Sequence, residues 1–151
     1  MEKCKSYRGK SGSGDVESSI EKSLVIIKPD GVKKKIVGEI ISCFEKENLA
    51  IEKIKILKIS RELAFRHYRE HKDKKFFNIL IDFITSGPSV IMVLSGENAI
   101  SRIRRLMGPT DSRKAGKGTI RGDFGVDITV NVIHGSDSPE SAKREIELFF
   151  K

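Results

Sequence analysis

Two short runs of uninterrupted apolar residues, Leu24-Val25-Ile26-Ile27 and Val90-Ile91-Met92-Val93-Leu94, constrain this chain more than any other feature. Runs of that length suit strands covered on both faces, and they are too short to span a bilayer. Around them the period changes. Val37, Ile40, Ile41 and Phe44 recur at helical spacing, Lys53-Ile54-Lys55-Ile56 alternates like a half-exposed strand, and Ala99, Ile103 and Leu106 mark another helix. Leu63, Ala64 and His67, then Phe76, Leu80, Phe83 and Ile84, predict an inserted pair of helices, and Val130 to Ile133 a last strand. With the inserted pair set aside the order is βαββαβ. That order predicts a ferredoxin-like α+β sandwich, with helices on one face of an antiparallel sheet.

The last strand runs through Asn131-Val132-Ile133 to His134, and Gly135-Ser136-Asp137 follows. Ser138 is a good N-cap, Pro139 suits the first helical position and Glu140 the first turn, so a C-terminal helix starts there. This delivers His134 to a sheet edge, beside a backbone with no Cβ and the start of a helix. Such a histidine can meet a phosphate, although a hydrogen-bonded structural histidine is the commoner outcome.

At 151 residues the chain suits one domain with a sizeable core. The net charge of +8 is not a tail effect: residues 1–19 carry a net of +1, leaving +7 on the body. Positive potential favours nucleic acid, anionic surfaces or phosphorylated small molecules, and composition does not choose between them. Residues 1–19 hold Gly9-Lys10-Ser11-Gly12-Ser13-Gly14 and almost nothing apolar, so a flexible extension, native or appended, is expected before a domain at 20–151. No signal-peptide core or membrane span is visible, and Cys4 and Cys43 form neither a disulfide framework nor a metal-ligand spacing; the expectation is cytoplasmic.

Lys28-Pro29-Asp30-Gly31-Val32 after the first strand, Gly118-Thr119-Ile120-Arg121-Gly122-Asp123-Phe124, and the stretch around His134 together resemble the nucleoside diphosphate kinase family, in order, from about Ser23 to Phe150. The resemblance implies the same ferredoxin-like fold. It also implies an enzyme that moves the γ-phosphate of a nucleoside triphosphate to a nucleoside diphosphate through phosphorylated His134. An imidazole with an ordinary pKa of about 6.5 is mostly neutral at pH 7, so it needs no separate base.

By resemblance Glu145 orients His134, Lys28 contacts ribose and phosphate, Tyr68 lies near the phosphate, and Asn131 meets the sugar. Arg104 and Arg121, with Thr110 as a hydroxyl donor, are selected as the phosphate clamp; arginine forks match phosphate oxygens bidentately. Phe76, four residues before Leu80 and so on one helical face with it, stacks on the base, and Gly135 completes the nucleotide-binding set. Nothing calls for a protein-bound metal. Mg²⁺ is expected on the nucleotide, with Asp137 reaching it through water. His67 and His71 read as structural or solvated. Family members assemble as hexamers or tetramers, which implies a homo-oligomer here, and the end at Lys151 without a longer tail leaves the choice open.

An RNA-recognition domain shares the βαββαβ order and basic charge. Arg121-Gly122-Asp123-Phe124-Gly125-Val126 echoes part of its sheet motif, but Asp123 stands where a stacking aromatic belongs, and Asp127 follows. Nucleic acid is therefore not required. Ser112 and Lys117 stand where relatives often carry prolines, which leads to the expectation that restoring both prolines stabilises the fold by about 0.4 to 1 kcal/mol each where the backbone suits them.

Overall fold

The computed structural model describes residues 20–151, and the expected N-terminal extension lies outside them. Strands β1 (Ile20–Ile27), β2 (Ala50–Lys58), β3 (Pro88–Glu97) and β4 (Ile133–Gly135) form one antiparallel sheet in the order β2-β3-β1-β4. The two uninterrupted apolar runs are the central strands β1 and β3, which pair along their whole length from Ile20↔Glu97 to Ile27↔Val90. Central position explains the lack of alternation: both faces of these strands are covered, so both must be apolar.

Helices α2 (Val37–Lys46) and α5 (Ala99–Met107) cover one face, packing Ile40, Phe44 and Ile103 against Val25, Ile27, Met92 and Leu94. The alternate residues Leu24, Ile26 and Ile91 point the other way. They meet α3 (Arg61–His67), α4 (Phe77–Ile84) and α7 (Pro139–Phe150) through Ala64, Ile81, Ile84 and Phe149. The inserted pair and C-terminal helix thus coat the face that the six-element pattern alone leaves bare. Two short helices, α1 (Pro29–Lys33) and α6 (Ile120–Phe124), stand in what reads as turn and loop. Pro29 starts α1, and the Thr119 hydroxyl caps α6 by accepting from the Gly122 amide at 3.0 Å.

The last strand differs from its expected span. Pairing begins at Ile133, because Val132 has a φ of +74° that breaks the extended run, and it continues past His134 to Gly135. Ser138 caps α7 as expected, accepting from the Ser141 amide at 3.1 Å. The condition for a stabilising proline is not met at Ser112, whose amide donates to the Asp127 carbonyl at 3.2 Å, a bond that proline would delete. Cys43 is buried on α2 and is not a free thiol, so the expectation of unpaired cysteines does not hold for it; Cys4 lies outside the described residues.

Candidate active site

Every residue singled out in the sequence lines one cleft of about 540 Å³, bounded by the ends of β1 and β4, the α3–α4 pair and the 104–131 region. Strand register brings the first of them together. Ile26 pairs with His134, and Lys28, two residues further on, shares that face. The Lys28 amide donates to the Val132 carbonyl at 2.8 Å, which carries the pairing beyond the strand.

Lys28 Nζ donates to Asn131 Oδ1 at 2.8 Å, while Asn131 Nδ2 donates to the Thr110 and Ile128 carbonyls at 2.9 and 3.1 Å. One buried amide therefore clips the lysine to the loop that carries Thr110. Burial, reinforced by Arg121 and opposed by Asp30, pulls the Lys28 ammonium down to about 8. Val132, the strained residue next to this clip, is pinned on both sides, since its amide donates to Asp30 Oδ2 at 3.0 Å. A left-handed β-branched residue costs about 1 to 3 kcal/mol and persists only when its surroundings over-determine it.

Arg121 reaches the cleft from α6 with its guanidinium tied to the Gly108 carbonyl at 3.1 Å and the Ile133 carbonyl at 2.7 Å. Burial, then Arg104, lowers it to about 10, which still leaves it charged near neutral pH. Its Nε has no partner. Arg104 comes from α5 and donates to the Gly135 carbonyl at 3.3 Å. Glycine at 135 lets α5 pack closely here, since a Cβ would lie 2.6 Å from Met107 Sδ and 3.2 Å from Ile103.

The decisive contact is at His134. Its Nε2 lies 3.0 Å from Glu145 Oε1, and the Ser136 hydroxyl donates to the same oxygen at 2.7 Å while accepting from the Leu24 amide at 3.0 Å. Burial opposes ionisation of Glu145, but the hydrogen bond and charge of His134, with smaller help from His67 and Ser136, hold its carboxyl below the ordinary value. An ionised carboxylate only accepts, so in this contact Nε2 is the donor, and Nδ1 is the nitrogen that Glu145 does not engage. His67 stands edge-on to His134 with ring centroids 4.7 Å apart, buried, and with neither nitrogen hydrogen-bonded. Burial, then His134, pushes its basicity well below the ordinary histidine value.

At the other end Phe76 precedes α4 and is 43% exposed, with His71 and Lys74 beside its ring at 6.0 and 5.5 Å. Tyr68 is buried between the two ends, and burial, then Glu145, drives its phenol above the ordinary range. The Asp137 carboxyl is held low, chiefly by the Ser141 hydroxyl, and stays ionised at the rim. The arrangement offers an imidazole nitrogen beside a space lined by Lys28, Arg104 and Arg121, with a partly exposed aromatic ring at its other end. Those are the requirements for taking a phosphoryl group from a nucleotide.

The nucleoside diphosphate kinase profile matches residues 21–151. The chain belongs to the nucleoside diphosphate kinase family. It is therefore a phosphotransferase that passes the γ-phosphate of a nucleoside triphosphate to a nucleoside diphosphate. Among similar proteins, the nucleoside diphosphate kinase of Carboxydothermus hydrogenoformans is 56% identical over 132 residues, covering 87% of this chain and 89% of that protein. The Pyrococcus horikoshii nucleoside diphosphate kinase is 55% identical over 137 residues, covering 89% and 87%. Among solved structures, the Halobacterium salinarum nucleoside diphosphate kinase in complex with CDP superposes with a TM-score of 0.86 at 46% identity, covering 88% of this chain and 89% of that one. The Aquifex aeolicus nucleoside diphosphate kinase gives 0.85 at 43% identity, covering 88% and 96%.

Sequence reading missed His67, Ser136, Lys74 and Arg144, which belong to this site or support it. Ser136 had a signal, because strand alternation puts residues 134 and 136 on one face. His67 had none: that α3 packs against His134 is a fact of tertiary structure. The RNA-recognition reading fails structurally as well, since residues 120–124 are the helix α6 and supply no sheet platform.

Proposed function

We propose that the phosphoryl group is carried on Nδ1 of His134. In the first half-reaction Nδ1 attacks the γ-phosphorus, an N–P bond forms, the O–P bond breaks and the nucleoside diphosphate leaves. In the second, another diphosphate enters and its terminal oxygen takes the group from the histidine. The observation that carries this reading is the Glu145 contact, which engages Nε2 and leaves Nδ1 as the nitrogen available to react. Lys28, Arg104 and Arg121 balance charge that spreads over the phosphoryl oxygens, already fixed where that charge develops. The Thr110 and Tyr68 hydroxyls and the Gly135 backbone add contacts to the phosphates, Asn131 orients the sugar, and Phe76 with Leu80 forms the base platform. A ring that stacks without reading base edges accepts every base.

Mg²⁺ fits as a nucleotide-borne ion. It prefers oxygen ligands and retains several waters; Asp137 is ionised at the cleft rim and can hold one of those waters. Chelation should stop transfer and Mg²⁺ restore it. The catalytic domain is residues 20–151, acting in the cytoplasm on nucleoside di- and triphosphates without nucleic acid or membrane; among the described residues no helix is long and apolar enough to cross a bilayer. We further propose a homo-oligomer. Ile54 and Ile56 lie exposed on the edge strand β2, a face that a second copy would cover.

Incubation with γ-labelled ATP should put an acid-labile label on His134, and GDP should then remove it. His134→Ala should keep the fold and lose at least about four orders of magnitude in transfer, the scale of removing a covalent nucleophile. Substantial turnover in that variant would defeat the assignment.

A further inference from the structure

We propose that His67, His134 and Glu145 form a zinc site that silences the nucleophile. Their candidate ligand atoms all lie within 4.8 Å of one another. Zinc takes nitrogen at about 2.0 to 2.1 Å and carboxylate oxygen at about 2.0 to 2.2 Å in tetrahedral array, so neighbouring ligand atoms sit about 3.3 Å apart. The Glu145 carboxylate stands between the two rings, with Oε1 3.0 Å from His134 Nε2 and Oε2 4.0 Å from His67 Nδ1, so small side-chain adjustments would bring the three residues to that spacing. His67 is the independent sign. Its side chain is 3% exposed, neither nitrogen has a hydrogen-bond partner among the described residues, and Nδ1 lies 4.0 Å from the carboxylate. A buried polar ring without partners is costly, and a metal would satisfy it. Two imidazoles and one carboxylate with a position open to the cleft is also a ligand set that zinc enzymes use.

The surrounding charge decides which ion fits. Arg144 lies 3.8 Å from Glu145 Oε2, and Lys28, Arg104 and Arg121 line the same cleft, so cations are repelled in general. Only an ion with strong bonds to imidazole overcomes that, which selects Zn²⁺ over the oxygen-seeking Mg²⁺. The consequence for the reaction is a matter of proton position. A neutral imidazole has one N–H; zinc on Nε2 displaces that proton to Nδ1, whose lone pair is then gone. Conversely a phosphoryl group on Nδ1 keeps the proton on Nε2 and denies zinc its ligand. Zinc and phosphate therefore exclude each other on one ring.

Zinc binding does not depend on the phosphotransfer reading, whereas the inhibition does. Zinc affinity is measured without nucleotide, by competition with a chromophoric chelator. The wild-type chain should bind one zinc per site, and His67→Ala and Glu145→Gln should each weaken binding at least tenfold, since even supporting residues around a metal are worth about 10- to 100-fold. Circular dichroism identifies a variant that fails to fold, and the more exposed His134→Gln then replaces it. Zinc affinity unchanged in the folded variants, or absent from the wild type, overturns the site. Protein phosphorylated with ATP and then desalted should bind zinc at least tenfold more weakly; equal affinity overturns the mutual exclusion. Should the chain never take label from ATP, the phosphotransfer reading fails, and the nucleotide-free titration still reports on the site.

Discussion

The two ends of the cleft are built differently. At the phosphate end Lys28, Asn131, Arg121 and Glu145 are buried, and their hydrogen bonds join residues far apart in sequence, such as Lys28 to Asn131. At the base end Phe76 is 43% exposed and lies in the short connection between α3 and α4, where its neighbours His71 and Lys74 are local in sequence. One end is fixed by the core of the fold, and the other is a surface hairpin that leans over it. On the proposed reading, precision is concentrated where bonds would be made and broken, and tolerance where one base would substitute for another.

Substitutions test that contrast. Arg121→Ala should cause the larger loss, about 10²- to 10³-fold in kcat, the worth of one preorganised donor at developing charge. It also strips the Gly108 and Ile133 carbonyls of their partner, so the melting temperature should fall in the same variant. A drop in kcat with the melting temperature unchanged would show that the arginine does not brace the phosphate end.

The buried lysine supplies a pH test with two opposite outcomes. With Lys28 at about 8 in the folded chain, its charge is lost as pH rises through that value, and kcat/KM should fall by up to about tenfold per pH unit above it. Stability moves the other way. Between about 8 and the ordinary 10.5 the unfolded chain holds the proton and the folded one does not, so the Lys28 contribution to stability rises with pH. Urea unfolding and kinetics across this window should diverge; parallel curves would mean that the lysine is not titrating there.

Phe76→Ala should be milder and should act on binding. Stacking is worth about 1 to 3 kcal/mol, so KM should rise for every nucleotide while kcat holds. A base-selective or kcat-dominated effect would erase the distinction between the ends. Smallest is Ser112→Pro in the loop beside the cleft. It removes the amide bond to Asp127 and should destabilise by about 1 to 3 kcal/mol in urea unfolding with transfer intact.

The contrast also sorts what was legible beforehand. β1 and β3 declare themselves as apolar runs, and α7 through Ser138 and Pro139, because these signals are local. The pattern alone places Lys28 and His134 at strand ends, whereas their roles follow only from the resemblance. The start of β4 was misread, since Val130 to Ile133 looks extended and nothing in it announces that Asp30 and Lys28 force Val132 into the left-handed region. Helices α1 and α6 are too short to show a period. His67 escaped because a histidine on an apolar helical face looks the same whether its neighbour is a leucine or a second imidazole. Long-range contact is what one-dimensional patterns omit.

The carboxylate that sets the proton on His134 belongs to the final helix, α7. Because α7 is held to the sheet by Phe149 and its neighbours, anything that loosens that helix withdraws the carboxylate from the imidazole while Lys28, Arg104 and Arg121, which other elements carry, keep their places.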